Sequence, residues 1–380
     1  MAERLQDVRI ALVHEWLVTP GGSEQVLREM KVLYPQADVF CLVDKLTDAD
    51  RRDLGVGHPT TSFLQRLPRI GKVYRKLLPL MPAAVEALDL SAYDLVISNS
   101  HAVAKGARVR PGALHICHCC SPMRYAWDLR AQYLEEAGLD RGVKGWLAER
   151  MLDRLKRWDL QSSSRVHQFI AISDFIADRI QRAYRRDSTV LYPPVDTEYF
   201  TPLGPKENYY VAASRFVSYK RIPAIVEAFR ALPDHKLIVI GTGPEWENVQ
   251  AVAGSNVTLM GWQPRDVLRD HLRKARAFLF AAEEDFGILP VEAQACGTPV
   301  IALGVGGALE TVVSNGEHPT GAHFHLATPA GIAAAIRAFE EAPAPDANDC
   351  RQHAEKFSVK RFHRELDEYV SEAWRAHSAP

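Results

Sequence analysis

Short, largely apolar runs recur along the chain. Residues 8–13 (VRIALV), 94–98 (DLVIS), 115–119 (HICHC) and 168–172 (QFIAI) are each five or six residues long. Runs of this length without polar alternation read as strands buried on both faces. Between them, residues 24–34 and 175–184 repeat apolar positions at helical spacing, and Ser173 stands where an N-cap belongs. A proline-rich stretch, residues 191–208 (LYPPVDTEYFTPLGPKEN), then interrupts the pattern. Proline removes ladder and helix donors, so the stretch predicts a connection between domains. The alternation resumes with strands at 209–213, 236–240, 257–260, 277–280 and 299–302, a helix at 222–232, and a terminal amphipathic helix at 359–374. Strand–helix alternation predicts an α/β protein with two doubly wound, Rossmann-like parallel-sheet domains. The expected division is 1–195, a linker at 196–208, a second domain at 209–355 and a terminal segment at 356–380. Ligands would sit outside the carboxyl ends of the strands, in a cleft between the halves.

Composition narrows the function classes. The 380 residues carry 46 Lys plus Arg against 47 Asp plus Glu, a net charge of −1. That balance argues against a nucleic-acid binder. Six cysteines are too sparse for a disulfide scaffold. No apolar run approaches the ~18 residues of a membrane span. The opening MAERLQDVRIALVHEW lacks the pattern of a signal peptide. The expected location is cytoplasmic, with peripheral contact at the inner face of the membrane as an extension. That extension comes from residues 66–81 (RLPRIGKVYRKLLPLM), where basic and apolar residues mix as in segments drawn to anionic lipid. A solvated helix face explains the same composition.

Five segments carry candidate chemistry. Residues 283–297 (EEDFGILPVEAQACG) follow one strand and precede another. Pro290 suits the first turn of a helix and Gly297 its end. Glu292 is expected in that first turn, and Glu284 in the loop before it. The amides of Gly287, Ile288 and Leu289 would offer an anion site at the helix start. Carboxylates for hydroxyls and amides for phosphate suit a sugar nucleotide. Arg215 and Lys220, in SRFVSYKR, lie on a strand-end loop where they could neutralise a leaving diphosphate. Gly21 and Gly22, and Gly243 in GTGP, mark strand–glycine–helix junctions without the G-x-G-x-x-G dinucleotide spacing. In HICHCCSPMRYAWD, His118 and Cys120 share a strand face. Arg124, Trp127 and Asp128 then form a candidate binding loop of a cation, an aromatic face and a carboxylate, whereas ligands for zinc are not separated into converging pairs.

Together these segments resemble the retaining GT-B glycosyltransferases of family 4, especially the bacterial mannosyltransferase-like branch of surface polysaccharide assembly. The resemblance rests on HEWLVTPGGSEQVL, YDLVISNSHAVAKG and SPMRYAWD in the first half. In the second half it rests on SRFVSYKRI, GTGP, EDFGILPVEAQACGTPVIA and GGALETV. It implies transfer of a hexose, mannose from GDP-mannose by preference, to a glycan or lipid-linked saccharide. Arg215 and Lys220 would hold the diphosphate, Glu284 the sugar hydroxyls and Glu292 the ribose, and the amides of Phe286, Gly287, Ile288 and Leu289 would face the phosphate and sugar. Gly21 and Gly22 would line the junction of donor and acceptor, with no metal and no other cofactor. The terminal helix would cross back onto the first domain. Related sequences carry a histidine where this chain has Cys120. His118 is the candidate to take its place beside the sugar; otherwise that role is missing. Two alternatives follow: a nucleotide-sugar-binding scaffold without transfer, and a nucleotide-sugar epimerase.

Overall fold

A computed structural model of the chain describes residues 5, 7–128, 130–136, 138, 139 and 141–379. Seven strands, β1 (Ile10–Leu17), β2 (Asp38–Asp44), β3 (Thr60–Thr61), β4 (Leu95–Ser100), β5 (Leu114–Cys119), β6 (Gln168–Ala171) and β7 (Ser188–Val190), form one sheet. Their order is β3-β2-β1-β4-β5-β6-β7, and β1 pairs in parallel with both β2 and β4. Six more, β8 (Tyr210–Ala213), β9 (Leu237–Ile240), β10 (Val257–Gly261), β11 (Ala277–Phe280), β12 (Val300–Leu303) and β13 (Gly321–Phe324), form a second sheet. Its order, β10-β9-β8-β11-β12-β13, is likewise parallel. In each sheet the winding reverses once, between β1 and β4 and between β8 and β11.

The continuous apolar runs are explained by two cores per strand. Ile10, Leu12, Val39, Ile97 and Ile116 pack on one face of the first sheet. Ala11, Val13, Phe40, Leu42 and Val96 pack on the other. The amphipathic segment at 175–184 is the helix Asp174–Tyr184, whose Ile176 N–H donates to Ser173 Oγ at 3.1 Å. Pattern reading did not anticipate β2, β3, β7, β13 or the long helix Gly142–Ser163. That helix buries Ala148, Leu152 and Leu155 at helical spacing, but Val143, Trp146, Leu147 and Leu160 are apolar and exposed, and they blur the stripe.

The chain forms two compact units, Met1–Tyr192 with Phe362–Pro380, and Pro193–Arg361. Residues 196–208, expected as a free linker, belong to the second unit. Phe200 is wholly buried. Arg351 donates to the carbonyls of Thr197 and Phe200 at 2.6 and 2.7 Å. Lys206 donates to those of Arg273 and Cys296 at 2.9 and 3.0 Å. Proline content marked the absence of regular structure correctly, but irregular backbone packs well when side chains satisfy its carbonyls. The helix Val359–Ser378 buries Phe362, Leu366, Val370 and Ala373 in the core with Ile10, Leu12 and Ile97.

Candidate functional site

In the second unit, the loops after β8, β9, β11 and β12 interlock by close backbone contact. Phe216 N–H donates to the Thr242 carbonyl at 2.9 Å, and Gly307 N–H to the Glu284 carbonyl at 2.8 Å. A Cβ on Gly243 would stand 2.4 Å from the Phe216 carbonyl oxygen, and one on Gly307 2.4 Å from Phe286 Cα. Glycine is required at these two positions because other loops occupy the space.

Lys220 and Glu284 meet at this cluster. Lys220 ends the 3₁₀ turn Ser218–Lys220 after β8, and Glu284 follows β11. Lys220 Nζ makes an ion pair with the Glu284 carboxylate, both groups largely shielded from solvent. The contact spans the point where the winding of this sheet reverses, the place where open α/β sheets bind ligands. Arg215, on the same loop as Lys220, is exposed. Phe286 is buried with its ring against Phe357, so only its backbone is available. Gly287 has φ 94° and caps the helix Ile288–Ala295, whose first-turn amides lack intrahelical acceptors.

Glu292 falls in the second turn of that helix, not the first, because the helix starts only at Ile288. It is not joined to Glu284; each carboxylate has its own cation. Arg265 Nη2 lies 3.6 Å from Glu292, and burial raises the Glu292 pKa to about 7 despite that charge. The Arg265 guanidinium lies over the rings of Tyr199 and Phe200, 4.7 and 4.9 Å from their centroids, and 3.5 Å from Asp196. Residues of the expected linker thus complete the surroundings of Glu292. Arg265 was missed because a lone arginine after Pro264 reads as surface charge.

In the first unit, a hydrogen-bonded chain runs across the carboxyl ends of β1, β4 and β5. Gly21 caps the helix Gly22–Leu33 with an ordinary extended φ of −152°. Glu24, in its first turn, lies 3.4 Å from His14 Nε2 and accepts from Ser23 Oγ at 3.0 Å. Asn99 is the hub. Its Nδ2 donates to the Ser23 carbonyl at 2.8 Å, and its Oδ1 lies 3.0 Å from His118 Nδ1 and accepts from Cys120 Sγ at 3.2 Å. Glu15, wholly buried, accepts from the N–H groups of His101, Ala102, Val103 and Ala104 and from Ser100 Oγ. Burial alone would raise its pKa, but the His101 imidazole at 3.0 Å and these donors hold it well below the carboxylate range. His14, Glu15 and Glu24 stand in HEWLVTPGGSEQVL, yet only tertiary pairing shows their convergence.

His118 was expected beside the sugar. It is wholly buried, its ring edge-on to Phe362 at 6.2 Å, and burial lowers its pKa to about 4. Cys120, two residues on, is only half-buried. Trp127 donates its indole N–H to Asp159 at 2.8 Å, Asp128 pairs with Arg179, and Arg124 is half-buried. Asp159 also accepts from the Tyr184 hydroxyl at 2.7 Å and pairs with Lys105, anchoring Trp127 to the long helix.

Residues 197–357 match the family described as Glycosyl transferases group 1, and residues 20–199 match Glycosyltransferase Family 4. A D-inositol 3-phosphate glycosyltransferase of Mycobacterium sp. (strain KMS) is 28% identical over 182 residues, 42% of this chain and 39% of that protein. A GDP-mannose-dependent alpha-(1-6)-phosphatidylinositol monomannoside mannosyltransferase of Mycolicibacterium smegmatis is 31% identical over 173 residues, 37% of this chain and 45% of that protein. The chain thus spans about two-fifths of the length of the curated relatives it matches. The structure of HepE from Anabaena, in complex with UDP and glucose, superposes with TM-score 0.68 at 19% identity, covering 96% of this chain and 99% of that one. That is a likeness of fold. With two parallel sheets and matched family regions running from residue 20 to 357, the chain belongs to the GT-B glycosyltransferases of the family 4 type.

Proposed function

We propose that the protein transfers a hexose from a nucleoside diphosphate sugar to a hydroxyl of a glycan or lipid-linked saccharide. The observation that carries this reading is the Lys220–Glu284 ion pair where the second sheet reverses its winding. A donor exchanges this pair for two stronger sets of contacts: diphosphate oxygens on Lys220, and sugar hydroxyls on Glu284. Arg215 adds a second cation from the same loop, and the amides of Gly287, Ile288 and Leu289 add donors at the helix start. Glu292, in carboxylate form, accepts from a ribose diol. On the first unit, Gly21 and Gly22 leave room for the reacting groups, and Cys120, Arg124, Trp127 and Asp128 form the acceptor side.

The bond from C1 to the phosphate oxygen breaks and a bond from C1 to the acceptor oxygen forms. The acceptor proton passes to the leaving phosphate. With attack on the face that the phosphate leaves, configuration at C1 is retained without a carboxylate nucleophile. Lys220 and Arg215 supply the positive charge, so this reading includes no metal. GDP-mannose is put forward first because a mannosyltransferase named as GDP-mannose-dependent is among the relatives. UDP-glucose is the competing donor, since HepE was solved with UDP and glucose.

The test combines thermal shift with transfer. A donor at ~100 times its dissociation constant adds about 2.7 kcal/mol to stability. GDP-mannose should stabilise the wild type and not Glu292→Ala, with or without chelator. Transfer to saccharide acceptors should fall at least ~10²-fold in Lys220→Ala, the scale of losing one transition-state donor. Stabilisation without transfer to any acceptor would favour the scaffold alternative. Conversion of the donor sugar without acceptor would favour an epimerase.

A further inference from the structure

In the first unit, the loop after β5 is anchored from beneath by one buried carboxylate. Asp159, on the helix Gly142–Ser163, is wholly buried, and both of its oxygens are engaged. Oδ1 pairs with Lys105, itself 1% exposed, in the turn Ala104–Gly106 after β4. Oδ2 accepts from Trp127 Nε1 at 2.8 Å and from the Tyr184 hydroxyl at 2.7 Å. The indole N–H of Trp127 therefore has its acceptor inside the protein. Its ring is engaged as well: Lys156 Nζ lies 4.2 Å from the ring centroid, and Tyr184 meets it edge-on at 6.1 Å. The backbone follows the same course. Trp127 N–H donates to the Met123 carbonyl at 3.2 Å, and Met123 and Ala126 lie in the core. Arg124, half-buried, and Asp128, exposed, stand on either side of this anchor.

The same carboxylate also fixes the turn after β4. Lys105 N–H donates to Ser100 Oγ at 3.2 Å, and Ser100 Oγ donates to Glu15 at 3.1 Å. Two buried carboxylates, Glu15 and Asp159, thus hold the two ends of residues 100–105, and Asp159 joins that segment to Trp127. Burying two charges costs desolvation that their attraction often only repays, so stability is a weak account of the Lys105–Asp159 pair. Position is a better one. An ionised carboxylate accepts on both oxygens, and here it gathers donors from the β4 turn, the β5 loop and the end of the helix Asp174–Tyr184. We propose that Asp159 is a positioning residue for acceptor binding: it holds Trp127, and with it Arg124 and Asp128, in the arrangement that receives the acceptor saccharide. The proposal rests on the transfer reaction and its acceptor side as given above. Asp159 is wholly buried and acts only through Trp127.

The test asks whether acceptor affinity follows the acceptor that Trp127 finds at position 159. Transfer is measured with the full chain, GDP-mannose or UDP-glucose as donor, and a panel of octyl mannosides, glucosides and galactosides. In Asp159→Asn, the Lys105 ammonium claims the one amide oxygen and the NH2 group turns to Trp127. Acceptor KM should rise on the order of tenfold, the scale of one buried donor left without an acceptor, with kcat changed less than about twofold. Adding Lys105→Met frees the amide oxygen for Trp127 and should return KM to the wild-type range. Lys105→Met with Asp159→Leu removes the same charge pair but offers no acceptor, and KM should stay raised. Both double variants lose the two charges together, a change that folds tolerate, and equal unfolding temperatures check it. The thermal shift caused by the donor should be the same in both, since the donor contacts lie in the second unit. Equal acceptor KM in the two double variants, or a loss confined to kcat, overturns the proposal and leaves the transfer reaction standing. Trp127→Phe deletes the hydrogen bond from the other side, at a half-buried position, and keeps the test open if the buried variants do not fold; an unchanged acceptor KM in it also overturns the proposal. No transfer by the wild type to any member of the panel overturns the transfer reaction, and the positioning role with it.

Discussion

Glu15 and Glu292 are both shielded carboxyls, and their surroundings drive them in opposite directions. Glu15 receives four backbone N–H groups, a serine hydroxyl and the His101 imidazole, and stays ionised. Burial dominates at Glu292, where a single guanidinium at 3.6 Å leaves the pKa at about 7. The native state therefore holds this proton more tightly than the unfolded chain, where a glutamate titrates near ~4.3. The stability it contributes is full below that unfolded value and is lost as pH rises through about 7. Glu292→Gln should remove this pH-dependent part of the unfolding free energy, as measured by denaturant titration across the window. Only the ionised form accepts both hydrogens of a diol. Donor affinity in the wild type should therefore rise from about pH 6 to about pH 8, and that slope should vanish in Glu292→Gln. A wild-type affinity that stays flat over this range, read by calorimetry, would take Glu292 out of contact with the donor.

At the scale of elements, the loops differ in why they contain glycine. Gly243 has the Phe216 backbone where a side chain would go, so Gly243→Ala should cost roughly 1–3 kcal/mol of stability by overpacking, and donor binding with it. A Cβ on Gly21 would meet only the tip of Glu24 at 3.1 Å, and its φ suits any residue. Gly21→Ala should therefore unfold within about 0.5 kcal/mol of wild type yet lose transfer. Wild-type turnover in Gly21→Ala would remove the reason for placing this turn against the reacting groups. Strand–glycine–helix spacing made both turns legible, because backbone freedom is a local property. Which loop presses on which was not legible, since Phe216 and Gly243 meet through the register of β8 and β9. The two glutamates show the same limit. Each is matched by a cation from a distant segment, Lys220 of the turn after β8 or Arg265 at the start of the helix Arg265–Lys274, pairings that no local spacing shows. For His118 and Cys120 the alternation gave a common face but not which one, because apolar cores cover both faces of the first sheet.

At the scale of the molecule, the chain leaves its first unit once and returns once, and the two crossings are tied together. Val195 N–H donates to the Phe357 carbonyl at 2.8 Å, and Arg361 Nη2 to the Pro193 carbonyl at 3.3 Å. Beyond that clasp the terminal helix completes the first core with Phe362, Leu366 and Val370, all fully buried. Its amphipathic period was visible in the sequence, but a period names a face and not the core that receives it. Burying three such side chains contributes about 1.5–3 kcal/mol each. Their sum, roughly 5–9 kcal/mol, is comparable with the ~5–15 kcal/mol that separates a folded domain from its unfolded state. Deleting the chain from Phe362 onward should therefore unfold Met1–Tyr192 while leaving Pro193–Arg361 with its own core intact. Limited proteolysis with mass analysis reads this directly: the expected product is a protected fragment near 193–361 and rapid loss of everything before it. Equal protection of both units in the truncated chain would mean that the first sheet closes its core without the helix. Because Phe362 also lies against His118, a first unit that survives truncation should show that histidine titrating above its present value of about 4, as burial is relieved.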